Sequence, residues 1–217
     1  MPKDSANIPY ESDGLIPRCI RELFATVEKR REICGNVNKI SITCQYIQLY
    51  NEKVYDLLNS DQYKIRDNKK VLDGVPGLKI KIGSNDNVTI ENVYQFECHN
   101  VEDGFKYFWK GLKNKMMASH RINNSSSRSH CILSFTLTQI DINNPDNVII
   151  SKLQLVDLAG SERQSHVTKA SEERDPVHLK EAIEINKSLF TLRQVITALT
   201  ENYKVTQNAS KSFSKTF

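Results

Sequence analysis

The sequence predicts a layered α/β fold, and three observations carry that expectation. Apolar residues alternate with polar ones over 39–46 and 131–140, the period of a half-buried strand. They recur at helical spacing over 20–27, 101–112 and 179–199. No internal repeat is present, so these signals belong to one layered unit. With 217 residues, the chain fits one domain, or most of one, and can bury a sizeable core.

Residues 1–13 are polar and irregular. After Asp13-Gly14, Pro17 stands where a first helical turn tolerates it, and Ile20, Leu23, Phe24 and Val27 follow on one face. The basic run Lys29-Arg30-Arg31 suits the end of that helix. Over 39–52, Ile40, Ile42, Cys44 and Tyr46 alternate with polar residues before Ile47 and Leu49 switch the apolar side, which predicts a strand. Val54, Tyr55, Leu57 and Leu58 then predict a short helix. Residues 59–87 read as a loop-rich excursion, with small strand candidates at 78–82 and 88–93.

Asn100 is the expected N-cap of a helix carrying Val101, Phe105, Phe108, Trp109 and Leu112, whose spacing is that of core packing. The polar run over 123–130 abuts a strand over 131–140. A turn at Asn143-Asn144-Pro145-Asp146 leads to a second strand over 152–158, and the two should form an antiparallel hairpin. Asp175 caps a long helix of about 176–200, with Pro176 first and Leu189, Leu192, Val195, Ile196 and Leu199 in its stripe. The tail over 202–217 has no periodicity and is expected to be disordered.

At 39% apolar and 26% charged, the composition is that of a globular protein and not of a disordered one. Thirty basic against 26 acidic side chains leave +4, too small an excess to mark a nucleic-acid partner. Apolar runs such as Val148-Ile149-Ile150 fall far short of the roughly 20 residues of a membrane helix. No secretory h-region follows Met1, so a cytoplasmic protein is expected. Cys19, Cys34, Cys44, Cys98 and Cys131 form no C-x-x-C pair, and the histidines show no ligand spacing, so neither a disulfide framework nor a zinc site is expected.

Two segments carry chemistry. An apolar strand ending in Asp157, followed three residues on by Gly160, has the geometry with which an NTPase brings a carboxylate to Mg²⁺ through water and a glycine N–H to a γ-phosphate. The run over 123–130 supplies serine hydroxyls and backbone N–H groups suited to Mg²⁺ and phosphate oxygens. Its Arg128 could pair with Glu162, coupling the two loops. Taken singly, each segment reads better as an ordinary solvated loop.

Together, N-x-x-S-S-R-S-H over 123–130 and L-V-D-L-A-G-S-E-R over 155–163 resemble switch I and switch II of the kinesin motor domain. Gly14-Leu15-Ile16-Pro17-Arg18, Tyr46-Ile47-Gln48-Leu49-Tyr50-Asn51-Glu52 with Asp56-Leu57-Leu58, and Lys180-Glu181-Ala182 with Ile185-Asn186-Lys187-Ser188-Leu189 extend the match in kinesin order. The resemblance implies a partial motor domain over 14–201 with the α/β fold of a P-loop NTPase, a central mixed β-sheet flanked by helices. ATP and Mg²⁺ are the implied cofactors, and tubulin in microtubules the implied partner. Ser127 and Asp157 would hold Mg²⁺, and Ser126 would help position the attacking water. Asn123 would sit near the phosphates, Gly160 would sense the γ-phosphate, and Arg128 with Glu162 would form the latch. The helix over 176–200 would face the microtubule, with Lys187 among its contacts.

The sequence departs from the family in one respect that matters. It contains no Gly-Lys dipeptide and hence no G-x-x-x-x-G-K-[ST] loop. Without that lysine and its nest of N–H groups little energy remains to bind the α- and β-phosphates, so this chain alone is expected to be inactive, with the P-loop on a missing N-terminal motor segment. The alternative is a non-catalytic tubulin-binding or regulatory protein derived from a kinesin.

Overall fold

Helix α1 (Leu15–Cys34) follows Asp13, whose carboxylate accepts a 2.9 Å hydrogen bond from Arg21 Nε. The computed structural model describes residues 13–34, 38–59, 64–66, 69–71, 75–84, 88–119, 129–160 and 187–201. The chain divides into two compact units, Met1–Leu158 and Ala159–Phe217. The expected irregular segment over 1–13 is described only at Asp13, and the expected tail over 202–217 lies outside the described residues.

In the first unit, α1 runs three residues past its basic cluster. Arg31 donates to Glu28 at 2.6 Å and to the Ile40 carbonyl at 3.1 Å, fastening the helix end to the next strand, β1 (Asn38–Tyr50). The expected helix over 54–58 is instead a strand, β2 (Lys53–Asp56). Asn51 and Glu52 both have positive φ, 51° and 59°, and make the two-residue turn that pairs Tyr50 with Lys53. Pairing with β1 therefore overrides the helix-like spacing of Val54, Tyr55, Leu57 and Leu58. The excursion that follows holds two small hairpins: β3 (Lys64–Arg66) with β4 (Lys69–Val71), and β5 (Ile80–Ile82) with β6 (Val88–Ile90).

Strand β7 (Phe96–Glu97) pairs with β1, and helix α2 (Val101–Ser119) begins as expected at Asn100. Asn100 Oδ1 accepts from the Asp103 N–H at 2.9 Å, and Asp103 Oδ2 accepts from the His99 N–H at 3.0 Å. This reciprocal cap satisfies two otherwise orphaned donors. Trp109 stands 42% exposed at the edge of the expected stripe, its ring tilted 51° to that of Phe108.

Strands β8 (His130–Asp141) and β9 (Val148–Asp157) form the expected antiparallel hairpin, giving the order β2-β1-β8-β9 with β7 on the β2 side of β1. Every pairing among the described residues is antiparallel. One sheet face carries rows in register: Cys44–Phe135–Leu153, then Tyr46–Leu133–Leu155, then Gln48–Cys131–Asp157. The first two rows form the core with Ile20 and Phe24 of α1 and Phe105 and Phe108 of α2. Arg21 spans both helices, its guanidinium 4.8 Å above the Phe105 ring. The helices approach closely because α2 carries glycine where neighbours press hardest. A Cβ at Gly104 would lie 2.9 Å from Phe24, and one at Gly111 would lie 2.1 Å from the ring of Tyr46.

In the second unit, residues 187–201 form helix α3, the described part of the expected long helix. Thr191 and Thr200 donate to the carbonyls four residues back, at 3.0 Å and 2.8 Å.

Candidate functional site

The third row of the sheet is where apolar packing gives way to polar groups. Gln48, Cys131 and Asp157 lie side by side on β1, β8 and β9, on the face that α2 covers. The α2 stripe that supplies Phe108 and Leu112 places Lys115 one turn further on, over this row. Lys115 Nζ donates to Asp157 Oδ2 at 2.8 Å; the lysine side chain is 9% exposed and the carboxylate 60%. Asn114, beside it, donates to the Leu57 carbonyl at 2.6 Å and so fixes the same turn of α2 to the segment after β2.

The electrostatics follow from burial. Burial, the largest single influence, lowers the Lys115 pKa, but the hydrogen bond to Asp157, the Asp157 charge and the neighbouring Cys131 together outweigh it and hold the lysine above its ordinary value. The Cys131 thiol is pushed up by burial, opposed by Lys115 and by a hydrogen bond with Ser129. Burial lowers the His130 pKa, against the pull of the Asp157 carboxylate. The site therefore presents a charged lysine, an un-ionised thiol and a partly exposed acid at the C-terminal end of β9.

Register sets where the described ends of the two candidate segments lie. The run over 123–130 leads directly into β8, whose Cys131 stands opposite Asp157, the residue at which D-L-A-G begins. The described end of the first segment, Ser129-His130, and the described start of the second thus lie at the same end of adjacent strands. Of the expected site residues, Asp157, Gly160 and Lys187 are described, with Gly160 and Lys187 in the second unit. Asn123, Ser126, Ser127, Arg128 and Glu162 lie outside the described residues, and with them the expected latch and the expected Ser127 contact to Mg²⁺. Among the described residues no group of three or more His, Cys, Asp and Glu side chains gathers as a metal site. Asp157 suits the single, water-mediated metal contact expected of it, since Lys115 engages Oδ2 and leaves Oδ1. Lys115 itself was not among the expected residues. Its signal is present in the sequence as a lysine standing three residues after Leu112 and seven after Phe108, where the apolar stripe calls for a hydrophobe.

Comparison with known proteins matches residues 4–213 to the model of the kinesin motor domain. The chain belongs to the kinesin motor domain family. Kinesin-like protein KIF15 of mouse is 32% identical over 201 residues, which is 92% of this chain and 13% of that protein. Kinesin-like protein KIF9 of mouse is 35% identical over 191 residues, 88% of this chain and 22% of that protein. Among solved structures, a fast kinesin superposes with a TM-score of 0.67 at 28% identity, covering 87% of this chain and 47% of that one. A KIF14 dimer, solved with AMP-PNP in complex with a microtubule, gives 0.69 at 29% identity, covering 88% and 50%. The chain thus spans about half the length of these solved kinesin chains and a smaller part of the curated kinesins it matches. The α/β kinesin fold expected from the sequence is borne out.

Proposed function

We propose that this chain is the central and C-terminal part, over 14–201, of a kinesin motor domain that, when complete, couples ATP hydrolysis to movement on microtubules in the cytoplasm. The observation that carries this reading is the Cys131–Asp157 register, which sets Ser129-His130, the described end of the 123–130 segment, and Asp157, the first residue of D-L-A-G, at one end of the sheet. In this reading Asp157, steadied by Lys115, holds Mg²⁺ through water, and Ser127 supplies a hydroxyl to the same ion. Mg²⁺ supplies charge neutralisation at the β- and γ-phosphates. Asn123 lies by the phosphates, Ser126 orients the attacking water, and the Gly160 N–H meets the γ-phosphate. Arg128 and Glu162 close on each other over the nucleotide, and Lys187 contributes a cation toward the acidic track. No helix among the described residues is long and apolar enough to cross a membrane.

The test uses the chain as it stands, sedimented with stabilised microtubules while phosphate release is followed. Salt-sensitive co-sedimentation without turnover is expected, because no Gly-Lys dipeptide is present to cradle the phosphates. Failure to sediment at low salt sinks the motor reading. Addition of a kinesin segment bearing the phosphate loop should then restore hydrolysis, and Glu162→Ala should abolish it while leaving nucleotide bound. If hydrolysis is not restored while sedimentation persists, the chain is the non-catalytic tubulin-binding protein that the absent Gly-Lys pair equally favours.

A further inference from the structure

Gln48 lies on β1 at 2% exposure, and its Nε2 donates to Ser129 Oγ at 3.0 Å, across 81 residues of sequence. Its Oε1 is also buried and has no hydrogen-bond partner among the described residues. A buried amide with half its bonding capacity unused is destabilising, and a leucine or methionine there would avoid the cost. What the amide does secure is Ser129, itself fully buried, at the point where the 123–128 segment enters β8. Two residues on along the chain, Cys131 stands between Gln48 and Asp157 in the register, and Lys115 over that row donates to Asp157 at 2.8 Å. One row of polar groups therefore crosses β1, β8 and β9 beneath α2.

We propose that Gln48 is a positioning residue of the candidate site: it clamps Ser129 at the root of the nucleotide-facing segment and, through Cys131 and Lys115, ties that root to Asp157. The assignment rests on the kinesin reading of the 123–130 segment. It adds a buried coupling between the two loops that does not pass through Arg128 and Glu162. Displacement of Ser129 is transmitted to the hold on Asp157, because the intermediate groups are packed and have little room to move independently.

The test is amide hydrogen exchange on the whole chain, comparing wild type with Gln48→Met, Ser129→Ala, the double variant and Ser129→Thr. Gln48→Met should speed exchange at Cys131 and Asp157 by about tenfold or more, with Leu49 and Tyr55 in the β1–β2 hairpin unchanged. The double variant should lose no more protection than the larger single variant, and Ser129→Thr, which keeps the hydroxyl, should retain it. Unchanged exchange at Asp157, or an even rise over β1, β8 and β9, overturns the assignment. If Gln48→Met does not fold, Ser129→Ala with its threonine control decides the same question. Titration of the same proteins with a fluorescent ATP analogue and Mg²⁺ separates the two readings: a wild type complemented by the phosphate-loop segment that binds none removes the nucleotide-facing role, while the exchange result still judges the clamp.

Discussion

Strands β1 and β9 are both rich in isoleucine, valine and leucine, yet one is sealed and the other is not. β1 is paired on both sides, by β8 on one and by β2 and β7 on the other, and its alternate residues disappear under the helices. β9 pairs with β8 alone among the described residues, and Val148, Ile149, Ile150 and Val156 remain exposed. The difference teaches that a strand's burial is a property of its neighbours. Ile42 is 1% exposed because α1 and α2 lie over its row, whereas Ile150, on the opposite sheet face, is 61% exposed. Such an apolar edge favours a partner strand or self-association.

Four substitutions sharpen or break this contrast. Ile42→Ala should lose about 2–5 kcal/mol in denaturant unfolding, through lost transfer energy and a cavity the packed helices cannot close. A loss below about 1 kcal/mol would mean that the β1 face is not the core. Gly111→Ala should cost about 1–3 kcal/mol despite alanine's better helix propensity, because the new Cβ meets the Tyr46 ring, itself stacked on Phe108. Stabilisation instead would show that α2 can lift from β1.

Lys115→Met should cost about 1 kcal/mol near neutral pH, since the exposed Asp157 partner is screened by solvent. The sign of its pH dependence follows from the raised lysine pKa. The pair's contribution is fully present below the ordinary lysine pKa and disappears as pH rises through the higher folded value. The wild-type advantage should thus persist to about pH 10 and shrink above it, and a constant difference across that range would remove the ion pair as its cause. Ile150→Ala should change stability by no more than about 0.5 kcal/mol, and light scattering should show reduced self-association.

Much of the fold was legible in the residues, for reasons that differ by element. Asn100 announced α2 because an N-cap is a local hydrogen bond, and the β8–β9 hairpin was announced by alternation on either side of an Asn-Pro-Asp turn. The β2 strand was misread because the spacing of Val54, Tyr55, Leu57 and Leu58 satisfies a helix locally, while the positive-φ turn at Asn51-Glu52 commits the chain to pairing with β1. At the site, Asp157 and Gly160 were visible as a motif, whereas Lys115, lying 42 residues from its partner, was not.

The sequence by itself determined the period of the longer strands and helices, the family and the two candidate segments over 123–130 and 157–162, because these are written in short-range spacing and residue type. Tertiary structure alone decided which residues share a row, that Gln48, Cys131 and Asp157 meet beneath one lysine, and which of two similar strands is buried. Register and burial depend on contacts between residues distant along the chain, and no local pattern encodes them.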